Sequence, residues 1–195
     1  MNVGFAFNVK RSKPSVKITE QTDIEYDSPF VIETIEETLH DLGHVVFKIE
    51  ANQEAYSKLK KLKDKIDIVF TIAEGVDGDA RESQIPILCE ILGIPYTHSD
   101  PTTHAIGLNK EFAKLLLKGA NVANIPSSQV VKDKNYIFNS ALKFPLIVKP
   151  NKEGSSKGVL DKNVVKNASD LAKRIKIITE NFKKEVLIEE FIEGR

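Results

Sequence analysis

The residues of this chain best spaced for chemistry lie in Phe144–Gly158, FPLIVKPNKEGSSKG. A short apolar run, Leu146-Ile147-Val148, is long enough for one buried strand, and Lys149 stands at its end before Pro150. A loop then follows with Gly154, Ser155, Ser156, Lys157 and Gly158. Glycine lets backbone N–H groups come close to an anion, serine hydroxyls add donors, and lysine supplies point charge. A strand that delivers lysine into such a loop suits a polyphosphate, although the same composition also makes ordinary turns. Lys110 and Lys114 stand four residues apart in a helical pattern and so project from one side of it. The single Cys89 sits among Ile85, Leu88 and Leu92, as a core thiol would. His40, His44, His98 and His104 are scattered, and no His/Asp/Glu group has metal-ligand spacing.

The bulk composition narrows the classes. The 195 residues carry 28 basic and 28 acidic side chains, a balance that favours neither nucleic acid nor an anionic membrane as partner. One cysteine excludes an internal disulfide framework and suits a reducing compartment. The opening MNVGFAFNVKR puts apolar residues before the charges, the reverse of a secretory leader, and no apolar run approaches the roughly 20 residues of a bilayer span. The expectation is a cytoplasmic protein.

Alternating strand and helix patterns must position these residues. Val3–Val9 reads as a buried strand and Lys10–Tyr26 as a long polar loop. Ser28-Pro29 starts a helix with Val31, Ile32, Ile35, Leu39 and Leu42 inward, ended by Gly43. Val45–Ile49, Ile66–Ala73 and Ile94–Tyr96 follow as strands, with helices over Gln53–Lys65 and Glu82–Leu92. Buried strands alternating with helices predict a parallel sheet, with Asn8, Glu74 and Ser99 at its carboxyl rim. A single helix is expected over Ala105–Gly119, with Ile106, Phe112, Leu115 and Leu116 inward, then a linker at Asn124–Ser128. An α+β region follows: strands at Gln129–Lys132, Leu146–Val148 and Val186–Glu190, a helix near Asn135–Leu142, and one capped by Ser169. No repeat or low-complexity segment is present, and no G-x-G-x-x-G follows a predicted strand, which sets a dinucleotide oxidoreductase aside.

Three stretches occur in order: LGIPYTHSDPTTHAIGLNKEFAK (Leu92–Lys114), FPLIVKPNKEGSSKGV and VLIEEFIEG. Together they closely resemble the D-alanine–D-alanine ligases of the ATP-grasp superfamily, from about Glu74 onward. The resemblance implies an α/β chain: a parallel Rossmann-like, pre-ATP-grasp domain over 1–99, a connecting helix and linker over 100–128, and the first α+β subdomain of an ATP-grasp fold over 129–195. It matches Lys110 and Lys149 to lysines on the ATP phosphates. Ser155 and Ser156, after Gly154, match residues closing over the terminal phosphates and an acyl-phosphate. Glu189 matches the carboxylate accepting from the adenine amino group, and Glu190, Phe191 and Ile192 the hinge along the adenine edge. The implied chemistry is ATP-dependent joining of a carboxylate to an amine, serving cell-wall synthesis, with ATP and Mg²⁺ as cofactors and small amino acids as substrates.

Two stretches depart from that pattern. After the first strand, AFNVKRSKPS (Ala6–Ser15) lacks the family's glycine-rich turn and its ammonium-binding glutamate; the nearest acids are Glu20, Asp23, Glu25 and Asp27. AEGVDGDARES (Ala73–Ser83) replaces the usual turn after strand three, where Glu74 is either part of a substrate site or a turn acid capping the next helix. The chain stops at Glu193-Gly194-Arg195, before the family's arginine and metal-binding acids. The expectation is therefore an excised or shortened N-terminal half without turnover of its own. Homodimerisation would be one way to cover the surface the missing half leaves. The alternative is a non-catalytic nucleotide-binding or interaction module of the same ancestry.

Overall fold

The computed structural model of the protein describes residues 1–11, 23–133 and 136–194. They form two compact units, one of residues 1–11 and 23–106, the other of 107–133 and 136–194. Most of the predicted Lys10–Tyr26 loop, Glu20 included, lies outside the described residues.

The first unit is built on a parallel sheet in the order β2-β1-β3, with β1 at Asn2–Phe7, β2 at Val45–Glu50 and β3 at Ile68–Thr71. β1 pairs Val3 with both Val46 and Ile68, so the chain's first strand is the central one. Its side chains alternate between two cores, as the twofold strand period demands. Ala6 faces Ile49, Leu59, Val69, Ile85 and Cys89, whereas Phe5 and Phe7 face Ile32 with Ile35, Leu39 and Phe70 beside it. Cys89 is fully buried, and that burial pushes its thiol up to about 12, so it is packing and not a nucleophile.

Helix α1 (Pro29–Asp41) opens as expected, with Ser28 Oγ accepting from the Val31 N–H. Its inward stripe is narrower than predicted: Ile32 is buried, but Val31 and Leu42 are exposed, because a helix on one sheet face buries only one stripe. Helices α2 (Ala55–Leu62) and α3 (Gln84–Leu92) cover the other face. The expected fourth strand shrinks to one parallel bridge, Val69 to Tyr96, with the Val69 N–H donating to Pro95 O and Thr97 N–H to Val69 O.

Between residues 101 and 119 the single predicted helix is two, α4 (Pro101–Leu108) and α5 (Lys110–Gly119). Asn109 breaks them: its backbone is extended and its Oδ1 accepts from the Phe112 N–H, capping α5. The predicted inner face is also reversed. Phe112, Leu115 and Leu116 are more than half exposed, and the lysine side of α5 is the side engaged by protein.

The second unit carries an antiparallel sheet ordered β4-β7-β5-β6, with β4 at Ser128–Val131, β5 at Leu146–Pro150, β6 at Val164–Val165 and β7 at Val186–Glu190. Helix α6 (Ala168–Phe182) packs Leu171, Ile175 and Ile178 against Leu146, Val148, Val186 and Ile188. Its cap is Asn167, whose Oδ1 accepts from the Asp170 N–H; Ser169 lies one residue inside the first turn. Residues 136–142 form no helix. The Gln129 side chain donates to Ile137 O and accepts from the Asn139 N–H, and Asn139 Oδ1 takes the Ala141 N–H, so side chains occupy groups a helix would pair.

Candidate functional site

The lysines and the glycine–serine loop are assembled in the second unit by two asparagines. Asn151, fully buried just past β5, donates Nδ2 to Asn109 Oδ1 at 3.2 Å and accepts the Glu111 N–H on its own Oδ1 at 3.0 Å. Its carbonyl takes the Lys110 N–H at 3.1 Å. The first turn of α5 is thereby docked on the end of β5, and Lys110 Nζ reaches the carbonyl of Glu153 in the loop.

The loop is fastened at both ends. Glu153 is buried and its carboxylate pairs with Lys184 at 2.8 Å and Lys157 at 3.1 Å. Although burial opposes ionisation, those two ammonium groups hold its carboxyl below the usual glutamate range. At the exit, buried Asn163 donates to Gly158 O at 2.8 Å and accepts from the Leu160 N–H at 3.2 Å. Between these anchors Ser155 (φ 44°), Ser156 (φ 56°) and Gly158 (φ 75°) are all left-handed. Serine seldom adopts that conformation, and runs of it collect where a loop is shaped for a ligand. A Cβ on Gly158 would meet the Phe182 ring at 2.7 Å, so the loop's closure needs glycine there.

Lys149 and Glu189 lie on adjacent strands, β5 and β7, on the same sheet face, and their side chains form an ion pair. Lys114 pairs with the same carboxylate at 2.7 Å from one helical turn beyond Lys110. Glu189 is 7% exposed; burial works against its charge, but the two lysines outweigh it and hold its carboxyl low. Sequence reasoning missed this role of Lys114, although its four-residue spacing from Lys110 was the available signal. Past Glu189 the hinge residues are tied into the fold. The N–H of Glu190 donates to Ser127 O, that of Phe191 to Pro145 O, and Glu190 Oε1 accepts the Lys143 N–H.

Glu74 lies in the other unit, at the predicted rim. Asn8 Oδ1 accepts the N–H groups of Glu74 (2.9 Å) and Gly75 (3.0 Å), and its Nδ2 donates to Ala51 O, so it ties the ends of all three strands. Ser99 is exposed. Glu74 does not cap the following helix: α3 begins at Gln84 after a 3-10 turn, with no side-chain cap. Burial, with Glu82, Glu25 and Asp27 nearby and Arg81 only partly offsetting them, pushes the Glu74 carboxyl up to about 7. Beside it Arg81 Nη2 grips both oxygens of Glu25, at 2.9 and 2.8 Å, with both side chains buried. Tyr26 donates to Gly75 O at 2.9 Å. Among the described residues no group of three or more His, Cys, Asp or Glu side chains could hold a metal ion.

Residues 113–195 match the family model described as the D-ala D-ala ligase C-terminus. The chain is 32% identical to the D-alanine–D-alanine ligase of Aquifex aeolicus over 163 residues, 83% of this chain and 53% of that protein. Among solved structures, the fold superimposes on the D-alanine–D-alanine ligase of Bacillus anthracis with a TM-score of 0.73 and 25% identity, over 100% of this chain and 58% of that one. The same enzyme complexed with ATP gives 0.71 at 23%, covering 100% and 60%. The chain thus spans about half the length of the curated relatives it matches.

Proposed function

Because this chain is a D-alanine–D-alanine ligase-like protein of the ATP-grasp superfamily, we propose that it supplies the ATP-holding half of a carboxylate–amine ligase. The observation that carries this reading is that Lys110 and Lys149 stand at the end of β5 where the loop with left-handed Ser155, Ser156 and Gly158 begins, with Glu189 one strand away. Phosphoryl transfer asks little of a protein beyond positioning and neutralisation of charge. Lys110 and Lys149 supply positive charge for the phosphates, and Ser155 and Ser156 supply donors on a preshaped turn. Glu189 accepts from the adenine amino group. The N–H groups of Glu190 and Phe191 being engaged, the carbonyls of that stretch and Ile192 serve the rest of the base.

In the reaction of such a ligase, a substrate carboxylate oxygen attacks the γ-phosphorus and ADP leaves. An amine then attacks the acyl carbon and inorganic phosphate departs, taking the C–O bond pair while the amine sheds its proton. ATP-dependent ligases of this kind use Mg²⁺; among the described residues no group of three or more His, Cys, Asp or Glu side chains could hold a metal ion. We place the metal ligands and the remaining catalytic groups outside this chain, and expect residues 1–195 alone to bind ATP without turnover. For the amino acid, Glu74 is the proposed contact: a substrate ammonium beside it would favour the ionised form that its surroundings oppose. D-alanine is the first substrate to try.

Calorimetric titration of ATP into the chain tests the reading. Lys149→Ala should weaken binding about 10- to 100-fold, the worth of one charge-assisted contact to phosphate. Unchanged affinity in that variant would refute it. The second reading is a nucleotide-binding module without chemistry, which would need no more than the lysines, the loop and Glu189. ATP-dependent phosphate release by the gene's full-length product, given D-alanine, would dismiss that alternative.

A further inference from the structure

Two lysines share one buried carboxylate, which is more positive charge than Glu189 needs. Lys149 is the one with another task if ATP binds as proposed above, since its ammonium sits at the end of β5 next to the loop and its side chain is 22% exposed. Lys114 is held differently. Its side chain is 14% exposed, and its Nζ donates both to Glu189 Oε2 at 2.7 Å and to the Pro126 carbonyl at 3.2 Å. It is fixed between helix α5 and the segment entering β4, with its length spent on reaching Glu189. Meanwhile Glu189 cannot turn to water, because its residue is 7% exposed on β7, an inner strand flanked by β4 and β5. A carboxylate left unpaired there would take up a proton or hold on to Lys149.

We propose that Lys114 is a positioning residue, the standing counter-ion of Glu189, which frees Lys149 to exchange its carboxylate partner for a phosphate when nucleotide binds. Before binding, Lys149 and Lys114 both rest on Glu189. On binding, Lys149 moves to the phosphate, while Lys114 keeps Glu189 ionised and aimed at the base. α5 therefore serves the site twice from one face: Lys110 acts on the loop and Lys114, one turn on, acts on the strand. Lys114 touches no ligand in this scheme.

This inference rests on the ATP reading, and the experiment separates the two. ATP is titrated calorimetrically into the unsubstituted chain, Lys114→Met, Lys114→Arg, Glu189→Gln and the Lys114→Met/Glu189→Gln double variant. The expected results are a tenfold or greater loss for Lys114→Met and recovery to within threefold for Lys114→Arg. The double variant should bind within twofold of Glu189→Gln alone, since a neutral residue needs no counter-ion. A double variant that loses a further tenfold would overturn the proposal, because Lys114 would then act on the ligand or on the fold. Should Lys114→Met not fold, the unsubstituted chain still decides: ¹³C shifts of the Glu189 carboxyl must show it ionised at pH 7 with and without ATP. Uptake of a proton on ATP addition overturns the exchange. No ATP binding by the unsubstituted chain defeats the nucleotide reading and this inference with it, whereas binding that Lys114→Met leaves unchanged defeats this inference alone.

Discussion

Replacing Glu74 by glutamine should flatten the pH dependence of the first unit's stability. The Glu74 carboxyl stands at about 7 in the folded protein against an ordinary 4.5, chiefly because it is buried and secondarily because Glu82 and Glu25 repel its charge. Between those two values the folded chain holds a proton that the unfolded chain has released. Stability therefore falls as pH rises through this window and is constant, for this group, on either side. Carried at face value, the shift is worth about 3 kcal/mol. Glu74 is only half-buried, so screening by water reduces this to about 1–2 kcal/mol. Glutamine keeps the shape without the charge. The variant should match the natural chain near pH 4.5 and exceed it by about 1–2 kcal/mol at pH 8. Hydrogen exchange of the β1 amides, read at pH 5, 6.5 and 8 after correction for intrinsic rates, isolates this unit from the other. Equal pH slopes in the two proteins, or a variant less stable at pH 8, would show that the carboxyl is not strained by its surroundings.

Three shorter predictions concern the loop after β5, the Glu74 rim and the protein surface. Gly158→Ala should cost about 2–5 kcal/mol of second-unit stability, from a left-handed backbone and a Cβ placed 2.7 Å from the Phe182 ring. Urea unfolding should show part of that cost removed when Phe182→Leu is added, and no relief would exclude the clash. Arg81→Met should cost about 3 kcal/mol, since it takes the two-contact guanidinium partner from the buried Glu25 carboxylate. A thermal melt within a degree of the natural protein's would contradict it. Arg11 and Glu50 also pair, at 2.6 Å, but in water; Arg11→Ala should leave the denaturant midpoint unchanged, and a lowered midpoint would mean the pair is more than a surface contact.

Much of the fold was legible because local signals agreed with tertiary structure. The uninterrupted apolar runs gave β1, β3 and β7, and Ser28-Pro29 marked the start of α1 within a residue. The loop after β5 was legible too, since Gly154 and the paired serines are contiguous and follow Pro150 closely. What failed depended on partners distant in sequence. Asn109 reads as one more helical residue until Asn151, 42 positions on, is seen to pair with it. The apolar side of α5 was assigned inward by hydrophobicity alone, yet Lys110 and Lys114 hold the helix the other way by charge. The same limit hid the Glu25–Arg81 pair, 56 residues apart, and the anchoring of Glu153 by Lys184. Buried charges find each other through the fold, and no periodicity announces them.

The two strand orders have opposite consequences for a chain made from its N-terminus. In the first unit the central strand, β1, is synthesised before both its neighbours, so each later strand can add to a waiting edge. In the second unit the strand joining the halves is β7, and about 35 residues, including all of α6, separate Pro150 from Val186. Until β7 leaves the ribosome, β4 and β5 have no partner in common, and Lys149 and Lys114 have no Glu189. During translation the first unit can be complete while the loop after β5 still hangs on an open sheet edge, which is where nascent chains associate wrongly. A pause in synthesis that holds β7 inside the ribosome would prolong that exposure, whereas one that falls before β5 emerges would not.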